Sequence, residues 1–100
     1  MNINFEYKDV AASKRLEELA TEKLEKLENK YDFIVAADVY FKSENTRGED
    51  TGKVVEIRLN VPGTTLFSST SNTSFEAAIA KAVGEVQVQV QKRKDKMQTH

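Results

Sequence analysis

Residues 55–71 read VEIRLNVPGTTLFSSTS, and this stretch decides the fold. Val55, Ile57, Leu59 and Val61 alternate with Glu56, Arg58 and Asn60, the two-residue period of a strand with one buried face. Pro62-Gly63 suits the two central positions of a type II turn, because proline presets φ and glycine accepts a positive one. Leu66 to Ser71 then forms a short, serine-rich strand. Strand, tight turn and strand make an antiparallel hairpin.

Outward from the hairpin, the pattern changes on both sides. Downstream, Thr73 and Glu76 have capping-box spacing, and Phe75, Ile79, Ala82, Val83, Val86 and Val90 recur with the helical period. Val86, Val88 and Val90 also alternate with Gln87, Gln89 and Gln91, a local strand signal. The longer helical periodicity outweighs it, since each β-branched residue costs a helix only a few tenths of a kcal/mol. Upstream, polar residues Ser43 to Gly52 read as a loop, preceded by a strand in which Val35, Ala37, Val39 and Phe41 share a face. Before that comes a helix capped by Ser13, with Leu16, Leu19, Ala20, Leu24, Leu27 and Tyr31 on one side. Ile3, Phe5 and Tyr7 give the first strand. The order is βαβββα, an α+β fold in which a four-stranded sheet carries both helices on one face. Residues 1–97 form one domain and 98–100 a short end.

Chemistry finds little purchase in this chain. It has 100 residues, no cysteine and a single histidine, His100, at the terminus. Thiolate metal sites and the common nucleophile–base arrangements are therefore excluded. Gly48 and Gly52 lack the Lys-Ser or Lys-Thr continuation of a phosphate loop. Glu17, Glu18, Glu22, Glu25 and Glu28 read as a solvated side of the first helix. No catalytic residue, metal ligand or cofactor is expected. The start of the chain lacks the basic and apolar segments of a signal peptide, and no stretch is long enough to span a bilayer. A cytoplasmic, non-enzymatic protein with no membrane or small-molecule partner is the reading.

Fifteen Lys and Arg face sixteen Asp and Glu, a formal charge of −1, which argues against a generic nucleic-acid binder. Position matters more than the sum. At about 100° per residue, Arg15, Lys23, Lys26 and Lys30 fall on one flank of the first helix, and the five glutamates take the remaining exposed arc. On the last helix Lys81, Lys92 and Lys96 share a stripe interrupted by Glu85, and 91–96 ends the helix with Lys92, Arg93, Lys94 and Lys96. A basic edge of this kind suits the phosphates of structured RNA. Amphipathic solubility, pairs such as Glu22 with Lys26, and lysines answering the helix dipole explain the same residues without a ligand.

The βαβββα order, the run Leu24-Glu25-Lys26-Leu27-Glu28 leading to Tyr31-Asp32, Ala77-Ala78-Ile79 and the ending Lys92-Arg93-Lys94-Asp95-Lys96 together resemble the hibernation-promoting factors. The related ribosome-associated inhibitor A proteins share these features. The resemblance spans Met1 to about Lys96 and fits the short type. It implies a fold similar to double-stranded-RNA-binding domains and docking in the decoding channel of the small ribosomal subunit. There such a protein contacts ribosomal RNA and holds ribosomes idle under stress or in stationary phase. The positions matching the family's basic residues are Lys23, Lys26, Lys92 and Lys94, with Arg93 and Lys96 beside them. Glu17, Glu85 and Val88 stand where relatives are often basic. Those departures, with the near-neutral charge, keep a non-ribosomal protein-interaction or regulatory module on the same scaffold as the alternative; a small enzyme would require a carboxylate cluster in a deep pocket.

Overall fold

The structure, a computed structural model, describes residues 1–44 and 52–98, with only the backbone of Gln98. The elements are β1 (Asn2–Lys8), α1 (Lys14–Lys30), β2 (Ala36–Ser43), β3 (Lys53–Val61), β4 (Thr64–Asn72) and α2 (Phe75–Gln98). The strands lie in the order β1-β2-β3-β4. β1 runs parallel to β2, with Phe5 opposite Val39. That pairing needs a crossover, which α1 supplies. β2, β3 and β4 are successively antiparallel, so the sheet is mixed and the expected α+β order holds.

Ser13 starts α1 in extended backbone, its hydroxyl accepting from the Leu16 N–H at 3.3 Å. Leu16, Ala20, Leu24 and Leu27 are buried against Val39, Phe41, Ile57 and Leu59 of the sheet, which are at most 1% exposed. Phe41 is the hub. It stacks on Tyr7 at 5.2 Å and meets Phe75 edge-on at 5.7 Å, so one ring ties β1, β2 and α2 together.

α2 runs unbroken through the valine–glutamine alternation. Val86 and Val90 are fully buried, whereas Val88 is 53% exposed, which is the helical outcome. Three sets of polar contacts fasten it along the hairpin. The Thr70 and Ser68 hydroxyls donate to the carbonyls of Ala78 and Ala82, each at 2.9 Å. The Gln89 amide brackets Phe67, donating to its carbonyl at 2.6 Å and accepting its N–H at 3.2 Å. The Arg93 Nη2 donates to the Pro62 carbonyl at 2.8 Å. A serine-rich strand can therefore face a helix, because its buried hydroxyls are satisfied and their small size admits the helix backbone.

Between β3 and β4 the residues Val61 and Thr64 close a two-residue turn. Gly63 has φ +86°, the sign a type II turn requires at that position.

Four sequence-based expectations need correction. The N-cap of α2 is Ser74, not Thr73: the Ala77 N–H donates to the Ser74 hydroxyl at 3.1 Å, while Thr73 bonds to the Asn72 side chain instead. Val35 does not join Ala37, Val39 and Phe41 in the core. The strand begins at Ala36, Ile34 fills the core position, and Val35 is 59% exposed. Glu17 and Glu28 are not free members of a solvated face. Glu17 accepts a hydrogen bond from the Tyr7 hydroxyl, and Glu28 pairs with the Met1 ammonium at 2.8 Å. Of the expected loop Ser43 to Gly52, Ser43 ends β2 and Gly52 is buried, its N–H donating to the Ser71 hydroxyl at 3.0 Å. Residues 45–51, with Gly48, and His100 lie outside the described residues.

Candidate nucleic-acid interface

The two helices lie side by side on the sheet with their starts at the same end. Arg15 near the start of α1 meets Glu76 near the start of α2 at 2.5 Å, and Tyr31, just past α1, hydrogen-bonds Gln91 through its hydroxyl. A groove runs between them on the side away from the sheet. Its first part, about 350 Å³, is lined by Lys23, Lys26, Leu27 and Lys30 of α1 and by Ala80, Val83, Gly84 and Gln87 of α2. A second part, about 520 Å³, shares Lys30, Gly84 and Gln87 and adds Tyr31, Val88, Gln91 and Lys92. No carboxylate lines either part. Lys23, Lys26, Lys30 and Lys92 thus bring four positive charges to one continuous trough.

Helical spacing accounts for this. Lys23, Lys26 and Lys30 are three and four residues apart and so share a face beside the buried Leu24 and Leu27 stripe. Lys26 pairs with Glu22 at 3.5 Å, but both side chains are mostly exposed, so the pair holds it weakly. Beyond the second part, a cavity of about 290 Å³ is lined by Lys30, Tyr31, Asp32, Phe33, Lys94 and Met97. The ammonium groups of Lys30 and Lys94 lie 5.8 and 5.6 Å from the centre of the Tyr31 ring, within the range of cation–π attraction. The ring thereby gathers two cations at the end of α1, where the helix dipole is negative.

The remaining candidates stand elsewhere. Arg15 is engaged with Glu76, whose carboxyl is held below the usual carboxylate range by its own backbone N–H and then by the Arg15 guanidinium. Arg93 serves the β3–β4 turn through Pro62. Lys81 and Lys96 are exposed on α2 and line none of these cavities. Glu85 is exposed on α2 and also lies outside the groove lining.

The opposite flank of α1 has the reverse sign. A depression of about 600 Å³ there is bordered by Glu17, Glu18, Glu22 and Glu25 with Lys14 and Lys26. The open face of the sheet gathers Glu6, Asp38, Tyr40, Glu56, Arg58 and Phe67. The sequence reading missed Tyr31 as an organiser of lysines and Gly84 in the groove lining. The succession Lys30-Tyr31 was the one signal for the first; nothing in the periodicity marked the second. Among the described residues no group of three or more His, Cys, Asp or Glu could hold a metal ion, and no helix is long and apolar enough to cross a membrane.

Residues 3–98 match the model of the family described as sigma 54 modulation protein / S30EA ribosomal protein. The chain belongs to that family. Membership makes a ribosome-associated role its class of function. Two solved structures share the S30EA fold seen here. One is a ribosomal subunit interface protein from Coxiella burnetii, 21% identical, with a TM-score of 0.80 over 95% of this chain and 99% of that one. The other is the N-terminal domain of Protein Y from Thermus thermophilus, 22% identical, with a TM-score of 0.76 over 92% and 98%. No individually curated protein matches the sequence.

Proposed function

We propose that this S30EA family member is a translation inhibitor of the cytoplasm that docks on the small ribosomal subunit. In this reading the inter-helix groove lies on ribosomal RNA in the decoding channel, where messenger and transfer RNA would otherwise sit, and the ribosome is held in hibernation under stress or in stationary phase. The observation that carries it is the groove itself, with Lys23, Lys26, Lys30 and Lys92 along its walls and no carboxylate in its lining. A trough of one sign attracts a polyanion whatever the net charge of the chain. The likeness to the Coxiella protein, which is named a ribosomal subunit interface protein, supports the same partner.

Occupying the channel needs no chemical step. Inhibition by steric exclusion asks only that phosphate contacts hold the domain in place, and contacts of that kind position a protein without reading sequence. Co-sedimentation with purified small subunits tests the proposal. The wild-type chain is expected to pellet with subunits at about 50 mM salt, where phosphate contacts are strong, and the double charge reversal Lys23→Glu/Lys26→Glu to remain in the supernatant. A folded wild-type chain that fails to pellet overturns the proposal. A pull-down recovering a protein partner without ribosomal RNA would instead favour a protein-interaction module.

A further inference from the structure

Gly84 is the tenth residue of a 24-residue helix, and neither backbone nor packing asks for glycine there. Its φ is not in the positive region, and a Cβ built on it would meet no atom within 4 Å. In an exposed helix interior glycine is also the poorer choice, disfavoured against alanine. Gly63 shows the contrast: its positive φ explains why it is glycine. What distinguishes Gly84 is its place. It is exposed and lines both parts of the groove, opposite the α1 wall that carries Lys23, Lys26 and Lys30.

From this we infer that Gly84 is a contact position for the RNA: the sugar–phosphate backbone comes into van der Waals contact with the bare α2 backbone there. The inference rests on the RNA-docking reading and adds the depth at which RNA sits. Lysine side chains are long and reach a phosphate from many positions, so they tolerate displacement. A rigid A-form backbone against a helix backbone does not. A methyl at position 84 would stand about 1.5 Å proud of the bare backbone and break that contact. Charge complementarity selects the occupant: with four lysines and no acid in the lining, the groove suits a polyanion better than an apolar peptide.

The substitution Gly84→Ala gives opposite signs for fold and binding. The melting midpoint should rise by about 4–8 °C, because alanine favours the helix and nothing obstructs its methyl. Affinity for purified small subunits at about 50 mM salt should fall at least about fivefold, the lower end of what an added methylene costs in a packed contact. Gly84→Leu should lose more, with circular dichroism confirming the fold. The charge reversal Lys23→Glu/Lys26→Glu runs alongside. If it abolishes binding while both Gly84 variants bind like wild type, the Gly84 contact is refuted and docking through the groove stands. If all three variants bind like wild type, both ideas fail.

Discussion

Single neutralisations along the helices separate a seated groove from diffuse attraction. The perturbation is Lys→Gln at Lys23, Lys26, Lys30 and Lys92, which line the groove, and at Lys81 and Lys96, which do not. If each groove lysine displaces one counterion, the logarithm of affinity falls with the logarithm of salt at a slope of about −3.6, roughly a 150-fold loss between about 50 and 200 mM. Each groove substitution should flatten the slope by about 0.9, removing about 3.5-fold of that loss. Lys26→Gln should approach the full value despite Glu22, since a pair whose side chains are 74% and 65% exposed is worth little. Lys81→Gln and Lys96→Gln should leave the slope within about 0.3 of wild type. The assay is small-subunit co-sedimentation across a series of salt concentrations, with gaps between wild type and variant narrowing as salt rises. Equal flattening by all six substitutions would show a charge cloud rather than a seat, and would refute the groove as the contact surface.

Other expectations concern the scaffold. Gly63→Ala puts a side chain into left-handed backbone, so urea denaturation should show a loss of about 1–2 kcal/mol; a wild-type midpoint would show the turn to be more forgiving than its geometry. Tyr7 has its ionisation pushed upward by burial first and by its hydrogen bond to Glu17 second. A phenol with a raised folded pKa contributes its stability below its ordinary value near 10, and that share is lost as pH rises from there through the folded pKa. The stability difference between wild type and Tyr7→Phe should therefore be constant at about pH 8–9 and shrink above about pH 10; a difference that grows would reverse the sign of the argument. Gln89→Ala uncovers the N–H and carbonyl of Phe67 on an edge strand. It should cost about 1–2 kcal/mol and produce concentration-dependent association in light scattering. A variant that associates no more than wild type and is equally stable would mean the amide protects nothing.

The fold was legible wherever burial alone sets the pattern. Val55, Ile57, Leu59 and Val61 turn inward because a strand has only two faces, and Leu16 to Leu27 because a helix has one apolar stripe. Mistakes arose where a hydrogen bond or the chain path decided instead. Thr73 and Ser74 are both capping residues, and their order along the chain cannot say which hydroxyl will meet the helix. Val35 fits the alternation, yet the turn after Tyr31 delivers Ile34 to the core first. The grouping of lysines on the proposed docking edge was legible in the same partial way. Spacing on α1 put Lys23, Lys26 and Lys30 together, but periodicity within one helix says nothing of what stands across from it.

That missing relation also shows how a chain of charge −1 can carry the polyanion-binding surface proposed for it. Many acids are committed to partners elsewhere: Glu17 to Tyr7, Glu28 to the Met1 ammonium, Glu76 to Arg15, and Glu44 to Lys42 at 2.9 Å. Others border the far flank of α1 or the open face of the sheet. Across the groove, α2 offers Gly84, Gln87 and Val88. Apart from Lys92 that side carries no charge, and no acid stands in the lining. One wall therefore supplies most of the charge and the other a close, uncharged surface. Binding of that form depends more on fit and less on salt than a trough with two cationic walls would. A measured slope no steeper than four contacts allow, together with sensitivity to a single methyl at position 84, is the pair of results this division of labour requires.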